Sequence, residues 1–353
     1  MTILIFNVIK VLGISAIASV IAVLWAPLLI DFLYKHKLWK KSARTKTISG
    51  EDAVIFNKLH QERETKVPRM GGLLVVITTV FTVFLLYILS LIFPDSWFFN
   101  LNFLSRSQTW LPLLTLVVAS LVGLLDDVLV VSSLGKYIGG GLSFKKRLLV
   151  VMLIGLVGGT WFYWKLGWDI ISIPLLGQLS IGILYIPLFI FVMVACWSGG
   201  IIDGLDGLAG GAFASIFGAF TIISFSQGKI DLATLCAVIT GTLFSFLWFN
   251  IPPARFYMTE VGILGLTTTL SVVAFLTDSV FVLPIIAGLL VIEVGSVIIQ
   301  LLSKKFRKKK IFLSTPIHHH FEAIGWPPYK VTMRFWIVGI VLAIIGVVIK
   351  LLG

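Results

Sequence analysis

The chain has 353 residues, a mean hydropathy of +1.05, 58% hydrophobic residues and only 12% charged residues. This composition excludes an ordinary soluble domain and predicts an all-α polytopic membrane protein, in which residues 1–353 form a single integral membrane domain. The net charge of +12 is concentrated in a few polar connections, so the preference for positive charge on the cytoplasmic side of a membrane explains it, and nucleic acid is not expected as a partner.

Ten apolar runs are expected to cross the membrane as helices. They lie at about 5–30, 71–93, 111–125, 148–164, 181–198, 208–226, 231–249, 261–277, 281–302 and 334–352. Lys and Arg are concentrated in alternate connections, which predicts that both termini lie outside. The connections predicted to be cytoplasmic are those at about 31–70, 126–147, 199–207, 250–260 and 303–333. On the opposite side, a Pro-Leu-Leu-Gly turn within 168–180 predicts a short hairpin.

Basic residues stand at the end of the first cytoplasmic connection, where Lys66 and Arg69 precede the second span. Each is either an ordinary positive-inside anchor or a contact to a phosphate group. Lys66 is included among the candidate substrate-binding residues.

The third span ends with two adjacent carboxylates, Asp126 and Asp127. Adjacent carboxylates at a membrane boundary repel each other unless a cation neutralises them. Mg²⁺ suits this position because it binds one or two carboxylates together with phosphate oxygens and water. Asp126 and Asp127 are therefore candidate catalytic residues. The alternative is a solvated acidic helix end facing the basic residues of the next connection, among which Lys145 is a candidate substrate-binding residue.

A second acidic pair, Asp203 and Asp206, stands among glycines between the fifth and sixth apolar runs. An acidic residue beside a membrane span usually faces water, an ion or a partner charge. On a helix, the spacing of three residues would place both carboxylates on one face, so the pair is a candidate metal site, and Asp206 is also a candidate catalytic residue. The alternative is a polar loop that caps the helix beginning near Leu208.

Further polar groups return to the same predicted face after the seventh and ninth runs. Asn250 and Tyr257 are candidate substrate-binding residues, and Glu260 is a candidate metal ligand and catalytic residue. Glu293 is expected to face the bundle interior, with Gln300 as its partner. Gln300 is also a candidate substrate-binding residue.

Three successive histidines, His318, His319 and His320, lie in the last cytoplasmic connection. Ligands adjacent in sequence rarely all reach one metal ion, so hydrogen bonds from imidazole to a diphosphate or a substrate hydroxyl fit better than zinc. His318 is a candidate catalytic residue, and His319 and His320 are candidate substrate-binding residues. Carboxylates, Mg²⁺ and basic groups at one face are typical of phosphoryl transfer, and the apolar surroundings indicate that one reactant is a lipid.

These motifs resemble those of the polyprenyl-phosphate N-acetylhexosamine-1-phosphate transferases. The resemblance is carried by the D-D pair, D-G-L-D-G-L-A at 203–209, F-N-I-P-P-A at 249–254 and P-I-H-H-H-F-E at 316–322. The last motif, followed by G-W and R-F-W, is similar to the phospho-N-acetylmuramoyl-pentapeptide transferase branch. The resemblance implies transfer of phospho-MurNAc-pentapeptide from UDP to undecaprenyl phosphate, with Mg²⁺, in a homodimer of the bacterial inner membrane. It also implies that Asp126, the candidate base, and Asp127 lie near the lipid phosphate.

Some positions depart from the family pattern. Trp197 and Gly200 stand where the family usually has Asn, and Thr259-Glu260 stands where it usually has Gly-Asp. Arg69 replaces a usual Thr, in a form that resembles the GlcNAc-1-phosphate branch. Three alternatives therefore stay open: a UDP-GlcNAc:polyprenyl-phosphate transferase, a degenerate homologue that binds lipid without chemistry, and a transporter that uses its carboxylates for ions.

Overall fold

The computed structural model describes residues 2–41, 65–133 and 140–353. Parts of the first two predicted cytoplasmic connections, 42–64 and 134–139, lie outside the described residues. The helices are α1 (Ile3–Lys35), α2 (Leu73–Ile92), α3 (Trp97–Leu101), α4 (Trp110–Val131), α5 (Phe144–Thr160), α6 (Tyr185–Ser198), α7 (Leu208–Ser226), α8 (Ile230–Asn250), α9 (Thr259–Leu276), α10 (Leu283–Ile286), α11 (Gly288–Arg307), α12 (Ile317–Ala323) and α13 (Pro328–Leu352).

The predicted all-α polytopic class is confirmed. Within the described ranges, nine helices are long and apolar enough to cross a membrane. The predicted run 281–302 is also helical, but it divides into the short α10 and the longer α11. α11 continues to Arg307, and its last turn carries Lys304, Lys305 and Arg307. The C-terminal end of α11 is therefore basic, whereas its N-terminal end is apolar.

The predicted hairpin within 168–180 is present. Strand β1 (Ile170–Ile173) pairs antiparallel with β2 (Gly177–Ser180), with Ile170 opposite Ser180 and Ile173 opposite Gly177. The backbone of Ser172 donates a hydrogen bond to Asp278 Oδ1 at 3.0 Å. The hairpin is thereby joined to the connection that follows α9.

α9 is the central helix of the bundle. Every one of its residues except Glu260 is buried. A Cβ atom on Gly123 of α4 would lie 2.2 Å from the carbonyl oxygen of Glu260, and one on Gly72 would lie 2.5 Å from Cα of Gly262. The backbones of α4 and α9 therefore touch at a position that only glycine permits. This contact brings the end of α4, with its acidic pair, beside the start of α9.

Candidate active site

Asp127 lies at the centre of the acidic group and is fully buried. Its Oδ1 accepts hydrogen bonds from Nε and Nη2 of Arg69, at 3.2 and 2.9 Å. Its Oδ2 accepts from Oγ1 of Thr259 at 2.6 Å and from the backbone N–H of Val261 at 3.0 Å. Both oxygens are thus hydrogen-bonded within the protein. This predicted catalytic residue therefore connects α4 to α9 and to Arg69.

Asp126, the other member of the pair, is joined to Glu260 through one arginine. Its Oδ1 accepts from the backbone N–H of Leu142, and its Oδ2 lies 3.8 Å from Nη1 of Arg147. The same Nη1 donates to Oε1 of Glu260. Asp126 is buried, whereas Glu260 is half-buried. Arg147 therefore stands between two carboxylates, one from α4 and one from α9.

Asp203 and Asp206 are held by the chain around the start of α9. Oδ2 of Asp203 accepts from the backbone N–H of Thr259 at 2.9 Å, and Oδ2 of Asp206 accepts from that of Ala254 at 3.3 Å. Burial raises the pKa of Asp203 to about 6, although the Thr259 N–H and the positive charge of Arg69 oppose the shift. Asp203 thus lies in the same electrostatic field as the first acidic pair.

Asn250 uses both ends of its amide within the protein. Its Oδ1 accepts from the backbone N–H of Gly207 at 2.9 Å, and its Nδ2 donates to the carbonyl of Phe256 at 2.7 Å. The side chain is buried. This predicted substrate-binding residue therefore connects the loop that carries Asp206 to the segment before α9.

Two of the histidines pair with glutamates. Nδ1 of His318 lies 2.9 Å from Oε2 of Glu293, and Nδ1 of His319 lies 2.7 Å from Oε2 of Glu322. His318 and Glu293 are fully buried. A Cβ atom on Gly204 would lie 2.3 Å from Nε2 of His318, so this imidazole is packed against the loop between Asp203 and Asp206.

The expected pairing of Glu293 with Gln300 is wrong. Oε1 of Gln300 accepts from the backbone N–H groups of Ile311 and Phe312, and its Nε2 donates to the carbonyl of Phe312. Its amide therefore holds the connection after α11, and the buried carboxylate of Glu293 takes the imidazole of His318 because α12 packs over α11.

The remaining predicted substrate-binding residues lie nearer the surface. Lys66 and Lys145 are exposed, and His320 is half-buried and accepts at Nδ1 from the backbone N–H of Leu313 at 3.2 Å. Tyr257 is half-buried, and its backbone pairs with Pro68 and Gly71. These residues are therefore more exposed than the buried carboxylates of Asp126, Asp127 and Asp206.

Sequence reasoning missed three residues that organise the acidic group: Arg69, Arg147 and Thr259. The sequence leaves Arg69 as either an anchor or a phosphate contact and Arg147 as one residue of a basic connection, because positive charge at a cytoplasmic boundary needs no special explanation. Thr259 and Arg69 were visible as departures from the family pattern. Both departures contact the same carboxylate, that of Asp127.

The donor chemistry of the site suits Mg²⁺. In the described part of the chain, no three His, Cys, Asp or Glu side chains come together closely enough to hold a metal ion by themselves. Mg²⁺ requires less of a protein, since one or two carboxylates with substrate phosphates and water complete its coordination. Asp203 and Glu260 each use one oxygen in a hydrogen bond given above. The second oxygen of each receives no hydrogen bond from the described residues.

Two of the departures form an apolar wall beside the site. A Cβ atom on Gly200 would lie 2.3 Å from Cγ2 of Ile263, so the isoleucine fills the space in which a side chain at 200 would stand. Trp197 is buried and lies against Phe144, with ring centroids 5.5 Å apart. Apolar groups thus occupy the positions of the two missing amides.

Comparison with known proteins identifies the family. Residues 109–278 match the family model described as glycosyl transferase family 4. A phospho-N-acetylmuramoyl-pentapeptide-transferase of Anoxybacillus flavithermus is 33% identical over 338 residues, which cover 95% of this chain and 96% of the relative. Proteins of the same name from Oceanobacillus iheyensis (33% identical over 342 residues, 95% and 96%) and Chlorobium phaeobacteroides (34% over 307 residues, 79% and 78%) are also similar. The chain therefore belongs to the phospho-N-acetylmuramoyl-pentapeptide-transferase family.

Proposed function

We propose that this protein transfers phospho-N-acetylmuramoyl-pentapeptide from its UDP carrier to undecaprenyl phosphate, forming lipid I and releasing UMP. The observation that carries the proposal is the gathering of carboxylates around two arginines at one end of an apolar bundle. The residues are Asp126, Asp127, Asp203, Asp206 and Glu260 with Arg69 and Arg147. The names of the curated relatives support this donor over UDP-GlcNAc.

The reaction exchanges one phosphorus–oxygen bond for another. A phosphate oxygen of undecaprenyl phosphate attacks the phosphorus that carries the sugar, and the bond from that phosphorus to the oxygen of UMP breaks. A phosphate monoester is already largely ionised at pH 7, so Asp126 serves more to orient the acceptor than to remove a proton. Asp127, held by Arg69, keeps the end of α4 in place.

Mg²⁺ is proposed as the cofactor, with Asp203, Asp206 and Glu260 as the residues that would hold it. When bound, it would neutralise the charge of the diphosphate. Arg147 reduces the negative charge at Asp126 and Glu260, which lowers the repulsion between these carboxylates and two anionic reactants. His318 and His319 are buried and paired with glutamates, so they are proposed to support the loop at Gly204, and the half-buried His320 is proposed to contact the donor.

The surroundings of the site support a lipid reactant. The protein is a multi-pass membrane protein, and its outer helices, such as α1 and α13, expose many large apolar side chains. The cytoplasmic position of the site and the homodimeric state are proposals that rest on charge distribution and on the family resemblance. Chemical crosslinking in native membranes tests the dimer, since a monomer would leave a single band at every crosslinker concentration.

The decisive experiment measures UMP release by purified protein in detergent with undecaprenyl phosphate and Mg²⁺. UDP-MurNAc-pentapeptide and UDP-GlcNAc are supplied separately, with and without EDTA. We expect metal-dependent release only with the first donor, at least tenfold less in Asp126→Asn and an unchanged rate in Asp31→Asn. Asp31 is an exposed acidic residue near the end of α1 and serves as the matched control.

Other outcomes would support the alternatives. Turnover of UDP-GlcNAc alone would indicate a UDP-GlcNAc:polyprenyl-phosphate transferase. Turnover of neither donor, with undecaprenyl phosphate still bound, would favour a degenerate homologue, for which the apolar replacement at positions 197 and 200 is the supporting observation. Ion flux in proteoliposomes without turnover would favour a transporter.

A further inference from the structure

Thr259 connects the two acidic pairs of the site. Its Oγ1 donates to Oδ2 of Asp127 at 2.6 Å, and its backbone N–H donates to Oδ2 of Asp203 at 2.9 Å. The same Oγ1 accepts from the backbone N–H of Met70 at 3.0 Å. One buried residue therefore joins the end of α4, the loop between α6 and α7, and the segment that precedes α2.

The backbone of Thr259 is strained. Its φ of +55° lies in the left-handed region, where a β-branched side chain is a rare outlier because its Cβ crowds the backbone. Such a conformation persists only when the surrounding contacts fix it, and it occurs most often at functional sites. The three hydrogen bonds of Thr259 are contacts of that kind.

Packing alone does not require threonine at this position. Glycine adopts a φ of +55° without strain, so a chain selected only for the fold of this turn would be more stable with glycine there. What glycine lacks is the hydroxyl, and the hydroxyl reaches Asp127 and Met70. The strained backbone of Thr259 is thus accompanied by a specific hydrogen bond from its hydroxyl to the carboxylate of Asp127.

We propose that Thr259 is a positioning residue that fixes the separation of Asp127 and Asp203, and through them the separation of the acceptor side and the donor side of the site. The proposal rests on the function proposed above. It deepens that function by assigning a role to a side chain that the motifs do not include. The Thr259 hydroxyl binds Asp127 of the first acidic pair, and its backbone N–H binds Asp203 of the second. Both hydrogen bonds are needed to fix the distance between the two pairs.

Three substitutions separate the hydroxyl from the strain. Thr259→Ser keeps the hydroxyl, Thr259→Val keeps the shape and the strain without it, and Thr259→Gly removes both. We expect Thr259→Ser to keep kcat within about twofold of the unsubstituted protein, and the other two to lower it at least tenfold. The matched control is Thr267→Val, since Thr267 is a buried threonine of the same helix whose hydroxyl bonds only to backbone carbonyls. It should keep the original kcat.

The sign of the stability change distinguishes positioning from simple support of the fold. Thr259→Gly relieves the strain, so its thermal midpoint in detergent should fall less than that of Thr259→Val although both lose activity. If Thr259→Gly keeps the original kcat and KM, the proposal is overturned. The same holds if Thr259→Ser loses as much activity as Thr259→Val.

A double-mutant cycle tests the connection independently of turnover. The thermal midpoints of Thr259→Val, Asp127→Ala and the double variant should be non-additive, because Asp127→Ala removes the oxygen that accepts the hydrogen bond from the Thr259 hydroxyl. Additive midpoints would overturn the connection even in an active enzyme. Absence of turnover with both donors, together with a non-additive cycle, would instead reject the proposed function and leave the Thr259 connection standing.

Discussion

The buried ion pair of Asp127 and Arg69 gives the sharpest test of how this site is held. The carboxylate is fully buried and accepts four hydrogen bonds, from Arg69 twice, from Thr259 and from Val261. In Asp127→Asn the carbonyl oxygen can still accept from Thr259 and Val261. The amide NH₂ group then faces the guanidinium, and two donors oppose each other.

The expected loss follows from leaving a cation without its partner. Removing one member of a buried ion pair typically costs about 3–5 kcal/mol. The side chain of Arg69 is 20% exposed, and half of the hydrogen bonds of Asp127 survive, so we expect the lower end, about 3 kcal/mol. Thermal unfolding in detergent, calibrated against a denaturant titration, measures the change.

The matched control removes both charges. In Asp127→Asn with Arg69→Gln no cation remains unpaired, so we expect about half of the lost stability to return. Asp126→Asn should lower stability less than Asp127→Asn, because Asp126 lies 3.8 Å from Nη1 of Arg147 and so makes the weaker ion pair. It should lower turnover more, because Asp126 is the residue proposed to orient the acceptor. A double variant as unstable as the sum of its single variants would refute the account. So would an Asp127→Asn variant that unfolds at the original midpoint.

Three further predictions follow from single contacts. Gly200→Asn should destabilise by about 1–3 kcal/mol, because its Cβ would lie 2.3 Å from Cγ2 of Ile263, and Ile263→Ala should restore the midpoint. Burial raises the pKa of Asp203 to about 6, so the Mg²⁺ concentration for half-maximal turnover should rise as the pH falls below that value, and Asp203→Asn should weaken that dependence. Gly204→Ala should lower turnover because its Cβ meets Nε2 of His318, whereas in a His318→Ala background the same change should add little; equal losses in both backgrounds would contradict the contact.

The acidic residues of the site could be predicted from the sequence for a simple physical reason. A carboxylate beside an apolar span is costly, so each one indicates either a partner or a function. The sequence predicts Asp126, Asp127, Asp203 and Glu260 as site residues in this way. In the structure all four lie in the field of Arg69, and Asp126 and Glu260 also lie in that of Arg147. Positive charge carries no such signal at a cytoplasmic boundary.

The pairing of these groups could not be predicted, because it depends on packing between distant segments. Arg69 and Asp127 are 58 residues apart, and Arg147 and Glu260 are 113 apart. Spacing along one helix suggested Gln300 as the partner of Glu293, and the tertiary contact with His318 took its place. Local periodicity therefore identifies which side chains need a partner, and only the fold decides which partner they receive.

The departures from the family pattern are matched to one another, which argues against a decaying site. Decay changes residues singly and leaves clashes, voids or unpaired charges behind. Here Arg69 and Thr259 depart together and bind the same carboxylate. Gly200 lacks a side chain where Ile263 fills the space. Each of these three changes therefore has a neighbour that accommodates it. Returning one member alone to the family residue should therefore be worse than leaving both, as the test with Gly200→Asn and Ile263→Ala examines directly.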